Sequence, residues 1–302
     1  MYPEIPYQGI SWPVTQHAGV ISQSVFDGLL NACLLCNGKE IDAQRINAYL
    51  VDNGILTPNV RTDSNQIDAW RDYQQILSEF GLIYSARVSR VMRLTPVALA
   101  YLAGRLSYSE LMTLQIMRYQ YPNGHKSQLS QSLIESYGKK FTFDSYTEMQ
   151  VANGIMFRPG VIVWQILQGL WKHGEQAILT IDEMQTYVVR CTTHSDVGKC
   201  VEYICNSRQE GHSLQPLLRA RRNMADWMKI LKQSPLFMLN SDGSAIALSG
   251  FSIRNKNAIQ SVCDMLSDPG SFWQYEMGSF KEHWFDFYGD FDGNTELVIK
   301  MQ

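Results

Sequence analysis

Asp72-Tyr73-Gln74-Gln75-Ile76-Leu77, continuing through Leu82-Ile83 to Leu94-Thr95, returns without a gap 154 positions later as Asp226-Trp227-Met228-Lys229-Ile230-Leu231, Leu236-Phe237 and Leu248-Ser249. In each copy, apolar residues at three- and four-residue spacing mark an amphipathic helix, which stops at Gly81 or Pro235. An apolar pair then opens a strand, a polar turn follows, and a second strand closes the unit. The predicted order is a helix followed by a two-stranded wing, and it occurs twice. A duplicated unit offers two comparable surfaces, which suits a target longer than one unit can span.

The neighbouring sequence extends both copies. Ser22 to Leu35 reads as a helix, and Glu40 to Asp52 as another, with Ile41, Ile46, Tyr49 and Leu50 near one face and Asn53-Gly54 as its stop. A loop from Leu56 to Asp63 leads to Ser64, a candidate cap for a helix whose Ile67, Trp70, Tyr73, Ile76, Leu77 and Phe80 point inward. Its outer face then carries Gln66, Arg71, Gln74, Gln75 and Ser78. After the wing, Thr95-Pro96 starts a helix to about Ala103, and Ser109 to Arg118 forms the next. Tyr121-Pro122-Asn123-Gly124 is a turn by composition, closing the first domain or opening a bridging segment.

In the second half Ile162 to Trp171 reads as a buried helix. Thr180 with Glu183 has the form of a capping box for a helix to about Arg190. Ser195 or Asp196 caps a helix with Val197, Cys200, Val201, Ile204 and Cys205 on its apolar stripe. A helix at 219–233 and strands near 236–240 and 245–249 complete the unit. No Gly/Ser or Pro-rich linker separates the halves, so they are expected to pack together. The fold class predicted is α+β, mostly helical, with two tandem winged-helix subdomains (helix-turn-helix plus β-wing). Residues 1–120 would hold the first with an N-terminal arm, and residues 121–302 a bridging segment and the second.

At 302 residues, with 45% hydrophobic and 11% aromatic content, the chain can fill two ordinary cores. Met1-Tyr2-Pro3-Glu4-Ile5-Pro6 lacks the basic region and apolar run of an export signal. No stretch reaches the roughly 18 apolar residues that cross a bilayer, so no membrane is expected. Six cysteines are too few for a disulfide scaffold and fit a reducing cytoplasm. The net charge of −3 lacks the basic balance usual for a nucleic-acid binder. Its distribution is uneven, however. Arg87, Arg90 and Arg93 recur through the first predicted wing, Arg219, Arg221 and Arg222 lead into the second predicted helix, and acids gather between Glu276 and Glu296.

Several chemistries find no support. There is no Gly-x-Ser-x-Gly elbow and no Gly-x-x-x-x-Gly-Lys loop. Cys191, His194, Cys200 and Cys205 fit no common zinc spacing, and two of them lie on an apolar helical stripe. Cys33-Leu-Leu-Cys36 has helical, apolar flanks and no second CxxC, so it reads as core. The aromatic cluster Phe272, Trp273, Tyr275, Phe280, Trp284, Phe285, Phe287 and Tyr288 reads as core closure rather than a base-stacking platform.

Thr180 to Arg190, the Thr-His-Ser-Asp turn after it, and Arg222-Asn223-Met-Ala-Asp226-Trp227 leading to Leu236-Phe237 resemble the DNA-recognition region of type II restriction endonucleases of the AlwI and BpuJI kind. Met117-Arg118-Tyr119-Gln120-Tyr121-Pro122-Asn123-Gly124 resembles the segment between the two halves of such regions, and Ser271-Phe272-Trp273 to Trp284-Phe285-Asp286-Phe287-Tyr288 their closing segment. The likeness touches most of the chain from about residue 40 to 290, in motif order and short signatures. It implies a tandem winged-helix region that reads a short asymmetric site on double-stranded DNA, with a metal-dependent nuclease domain elsewhere in the parent protein.

The nuclease signature itself needs an Asp, then an acid two residues before a Lys on one strand. Glu296-Leu-Val-Ile-Lys300, with Asp290 or Asp292 ahead, is the nearest match and its spacing is wrong by two. No catalytic residue, metal or cofactor is therefore expected in this chain, magnesium belonging to the separate nuclease domain. Base readout is expected from Gln66, Arg71, Gln74, Arg221, Arg222 and Asn223, since Arg and Gln can reach base edges from a helix in the major groove. Phosphate contacts are expected from Arg61, Arg87, Arg90, Lys126, Lys229 and Lys232, and Tyr7 to His17 could add an arm. The alternatives are a winged-helix scaffold for protein partners or a transcription regulator, because the fold alone does not decide between them.

Overall fold

The computed structural model describes residues 2–5, 12–15, 18–55, 68–125, 145–211, 213–217, 220–275 and 281–297. The first half contains α1 (Gln23–Leu34), α2 (Ala43–Asp52), α3 (Asp68–Glu79), α4 (Pro96–Leu102) and α5 (Tyr108–Arg118). The second contains α6 (Tyr146–Ala152), α7 (Pro159–Lys172), β1 (Ile178–Thr180), α8 (Ile181–Thr186), α9 (Val197–Glu210) and α10 (Ala220–Leu231). It continues through β2 (Phe237–Leu239), β3 (Ala245–Leu248), α11 (Gly250–Arg254), α12 (Lys256–Ser267) and α13 (Lys281–Tyr288). The chain is thus mostly helical with one small antiparallel sheet, in the order β1-β3-β2. Among the described residues no helix is long and apolar enough to cross a membrane.

Local chemistry sets the helix starts. Asp42 accepts the Arg45 amide at 3.0 Å, and Ser107 with Glu110 and Thr180 with Glu183 each form a capping box. Asp196 precedes α9 but does not cap it. Its carboxylate turns back to the Thr192 and Thr193 amides, at 2.9 and 3.0 Å, and holds a single 3-10 turn in place.

Several bonds repeat at the same interval. The Thr95 amide donates to the Leu82 carbonyl at 3.0 Å, and the Ser249 amide to the Leu236 carbonyl at 3.1 Å. The Thr95 hydroxyl donates to the Gly81 carbonyl at 2.7 Å, and the Ser249 hydroxyl to that of Pro235. Both residues then stand at the N-terminus of a short helix that precedes a longer one, α4 and α5 in the first half, α11 and α12 in the second. The correspondence reaches upstream as well, since Glu40 pairs with Val91 in the first half and Thr180 with Ala245 in the second. The second half is the longer one between these points: Asp226 follows Thr180 by 46 residues, Asp72 follows Glu40 by 32, and α9 lies in the difference.

The two predicted wings differ in quality. Phe237, Met238 and Leu239 pair in register with Leu248, Ala247 and Ile246 around a turn in which Gly243 takes φ +74°. The first wing is reduced to the isolated bridges Ile83–Leu94 and Glu40–Val91, not the two strands the sequence predicts. Its serines are the reason. Ser89 bonds both the carbonyl and the amide of Val91, at 2.8 and 3.2 Å, and the Ser85 carbonyl takes the Val88 amide at 2.8 Å. These local bonds occupy groups that a ladder would use.

Each end of the chain packs on the opposite half. Near the N-terminus the Tyr2 hydroxyl donates to the Tyr187 carbonyl, and the Trp12 indole, 1% exposed, donates to the Cys191 carbonyl at 3.2 Å. At the other end, the Tyr84 hydroxyl donates to Asp286 at 2.5 Å, and the Val97 amide to the Gly289 carbonyl at 2.9 Å. Buried Arg118 closes the end of α13, donating to the carbonyls of Phe287, Tyr288 and Asp290. Arg158 does the same at the end of α12, to the carbonyls of Leu266 and Ser271. Burial lowers both guanidinium pKa values, to about 10 and about 9, so both remain cations at neutral pH and suit the negative helix ends they face.

Candidate nucleic-acid interface

The exposed face of α10 carries the second set of predicted contacts. Met224, Trp227, Met228, Ile230 and Leu231 are buried, which turns Arg221, Arg222 and Lys232 outward and leaves Asn223 and Lys229 half-buried. Arg221 is ion-paired with Asp182 of α8. Arg222 Nε and Lys229 Nζ lie 3.9 and 3.7 Å from the carboxylate of Asp226, which is itself only 7% exposed. Asp226 therefore holds two cations on one stripe, one turn to either side of it. Both cations reach solvent while Asp226 is buried, so a phosphate or base edge that engages one of them leaves the other on the carboxylate. Asp182 and Asp226 were absent from the sequence-based set. The four-residue spacing of Arg222 and Asp226 was the signal available for Asp226, whereas Asp182, 39 residues from Arg221, had none.

The first set is less exposed than predicted. On α3, Trp70, Ile76 and Leu77 are buried, Gln74 is half-buried and Gln75 exposed. Ser78, expected on the outer face, is 3% exposed and faces the core. Arg71 lies within α3, but its side chain, like all of Gln66, Arg61 and Lys126, falls outside the described residues. In the first wing Arg87 and Arg90 are exposed, without an ion-pair partner among the described residues. Arg93 is committed elsewhere, paired with Glu282 and set 3.8 Å from the Tyr84 ring centroid. Lys281, at the start of α13, has its pKa lowered by burial and then by the charge of Arg87. That cation near the wing was not predicted, because the chain separation hides it.

Between the two sets stands a buried polar hub. Glu79, the last residue of α3 and fully buried, accepts the Tyr119 hydroxyl and lies 3.0 Å from His125 Nε2. Asn123 Nδ2 reaches the same hydroxyl at 3.3 Å. The Tyr119 ring packs edge-on against Trp227 of α10. The Tyr121-Pro122-Asn123-Gly124 stretch, a turn by composition, is thus interior. Tyr121 is fully buried, and a Cβ on Gly124 would come 2.4 Å from Trp284 Cβ. Of the arm proposed at 7–17, only residues 12–15 are described; Trp12, Val14 and Thr15 are buried, and the Trp227 indole donates to the Trp12 carbonyl at 3.1 Å.

The weaker alternatives place as follows. Cys191, Cys200 and Cys205 are buried free thiols, and among the described residues no three His, Cys, Asp or Glu side chains converge as a metal site. Cys33 and Cys36 are core. Residues 295–297 are helical, so Glu296 is not on the strand that the nuclease spacing would require, and Val298 to Lys300 lie outside the described residues. Of the aromatic cluster, Phe272, Trp284, Phe285 and Tyr288 are buried, which suits core closure.

No family model matches the chain, and no curated protein matches it. Its fold is similar to that of the BpuJ1 endonuclease binding domain, solved in complex with pyrene- and phenanthrene-modified DNA. The likeness covers 88% of this chain and 91% of that one, with a TM-score of 0.60 and 12% sequence identity. The resemblance to recognition regions of the BpuJI kind thus extends to the fold of nearly the whole molecule.

Proposed function

We propose that this chain reads double-stranded DNA through two winged-helix units, as the recognition part of a type II restriction endonuclease whose nuclease domain lies elsewhere in the parent protein. The observation that carries this reading is the correspondence at 154 residues, in which a helix is followed by the pairing of Ile83 with Leu94 in the first half and of Phe237 with Leu248 in the second. It is supported by the fold likeness to an endonuclease binding domain solved on DNA. In this reading α3 and α10 are the two reading helices. Arg221, Arg222 and Asn223, with Gln66, Arg71 and Gln74 in the other half, contact bases. Arg87, Arg90, Lys229 and Lys232, with Arg61 and Lys126, contact phosphates. Residues 1–120 and 121–302 would each hold one unit.

The net charge of −3 does not oppose this, because the cations are grouped on α10 and the first wing. Selection from randomised duplexes at two salt concentrations tests the proposal. Enrichment of one short asymmetric site, weakened at high salt, is the expected result. A palindromic site bound by a symmetric dimer would point to a transcription regulator, and no DNA affinity at low salt would move the function to protein partners.

A further inference from the structure

A second polar site lies away from α10 and the wings. Gln168, Trp171 and Lys172 at the end of α7 and Lys256, Asn257 and Gln260 at the start of α12 line a cleft of about 340 Å³. None of these residues belongs to α3, α10, β2 or either turn of the wings. The cleft is of a size that holds a small organic ligand.

Three features give it a chemistry. Lys172 and Lys256 have no acidic partner among the described residues, and the Lys256 ammonium stands 5.1 Å from the Trp171 ring centroid. The twelve-residue α12 begins at the cleft without a side-chain cap, because the Asn255 amide group donates back to the Phe251 carbonyl. Its first-turn N–H groups add a partial positive charge to the two ammonium groups. Gln168 is 7% exposed, lines the cleft, and makes no side-chain hydrogen bond among the described residues. Its amide is therefore free to pair with a polar group that enters the cleft.

We propose that this cleft binds a nucleoside phosphate, with the phosphate on Lys172, Lys256 and the first turn of α12, and the base on Trp171. The Gln168 amide supplies one donor edge and one acceptor to the base, a match that a bare phosphate does not need. Trp171, 41% exposed, offers the apolar surface on which a base stacks. The nucleotide comes either free or as the terminus of a nucleic-acid strand.

Isothermal titration of the full chain with adenosine 5′-monophosphate, adenosine, inorganic phosphate and a short 5′-phosphorylated single strand tests this. One nucleotide bound per chain, about tenfold or more tighter than adenosine or phosphate alone, is expected. The strand binding in place of the free nucleotide would identify a strand terminus as the source. Lys172→Gln with Lys256→Gln weakens the nucleotide about tenfold or more. Gln168→Leu weakens the nucleotide while leaving inorganic phosphate unchanged, provided its melting temperature matches the parent chain. Absence of binding by either the nucleotide or the strand at millimolar concentration would overturn the proposal, as would binding that none of these substitutions alters. The reading of DNA by α3 and α10 stands or falls separately, since no cleft residue contributes to it.

Discussion

The ring of Tyr119 meets the ring of Trp227 edge-on, with centroids 5.1 Å apart and planes at 75°. Its hydroxyl donates to Glu79, so one side chain joins the end of α3 to the buried face of α10. Tyr119→Phe keeps the aromatic contact and removes one donor from a fully buried carboxylate. A loss of about 1–3 kcal/mol in unfolding free energy is expected, measured by urea midpoint at unchanged slope. Tyr119→Leu loses the ring contact as well and should cost more. Equal stability of Tyr119→Phe and the parent chain would mean that the hydroxyl is not a required partner of Glu79.

His194 gives the fold an acid limit. Its Nε2 accepts the Arg158 amide at 3.2 Å, and its Nδ1 faces Gln165 Oε1 at 3.2 Å, which fits the neutral ring. Burial, and then the charge of Arg158, lower its pKa to about 4. The unfolded chain takes up this proton near pH 6.5 and the folded chain only near pH 4. The stabilisation is fully present above about pH 6.5 and is lost progressively as pH falls toward 4, up to about 3 kcal/mol. His194→Gln should flatten the stability profile over that window, and parallel profiles for the two proteins would count against this role.

Gly81 and Gly104 both take a left-handed backbone, with φ +64° and +72°, yet their surroundings differ. A Cβ on Gly81 would stand 2.5 Å from Tyr288 Cδ1, whereas nothing lies within 4 Å of one on Gly104. Gly104→Ala should cost only the backbone strain, about 1 kcal/mol. Gly81→Ala adds displacement of a buried ring and should cost about 2–4 kcal/mol. Thermal melting of the two variants side by side checks the difference, and equal losses would show that α13 moves aside freely.

Three arginines of the first wing should separate by role. Arg87→Ala and Arg90→Ala are expected to weaken DNA binding for all sequences alike, each reducing the salt slope by about 1. Arg93→Ala should leave the slope unchanged, because Arg93 is held by Glu282 and the Tyr84 ring. Its cost should appear as stability, about 1 kcal/mol. A change of slope for Arg93→Ala would mean that it leaves its partners on DNA.

In the proposed reading Arg222 on α10 and Lys232 just beyond it divide in the same manner. Loss of Arg222 to Ala is expected to cost about 1–3 kcal/mol of affinity and relax preference at one base position. Loss of Lys232 should weaken preferred and unrelated duplexes equally. Site preference measured by selection with each variant distinguishes them, and an unchanged preference for Arg222→Ala would remove it from base readout.

The helices were legible because their signals are local. Thr180 and Glu183 sit three residues apart, the stripe from Cys200 to Cys205 has helical spacing, and Thr95 precedes a helix, whereas α11 and α12 after Ser249 were not predicted. The repeat at 154 residues was legible for the same reason, since each unit rests on its own short-range bonds. Legibility failed where partners are distant in the chain. Nothing near Ser78 announces that it is buried, and nothing near Arg93 announces Glu282, 189 residues away. The Tyr121-Pro122-Asn123-Gly124 stretch has turn chemistry, and its burial follows only from Trp284 and Trp227 closing over it. The weak first wing was hidden by serine hydroxyls that compete with the ladder, a contest that periodicity does not register.

The crossing of the two chain ends has a consequence for biosynthesis. Trp12 finds its acceptor on Cys191, 179 residues later, a delay on the order of 10–40 s at ordinary elongation rates. Of the rings that cover its indole, Phe157 emerges before that carbonyl and Trp227 only after it. The groove at Gly81 and Thr95 waits longer still, for Tyr288 and Gly289 to emerge. The first half therefore leaves the ribosome with apolar surface on view, which is covered only after Tyr288 and Gly289 have emerged.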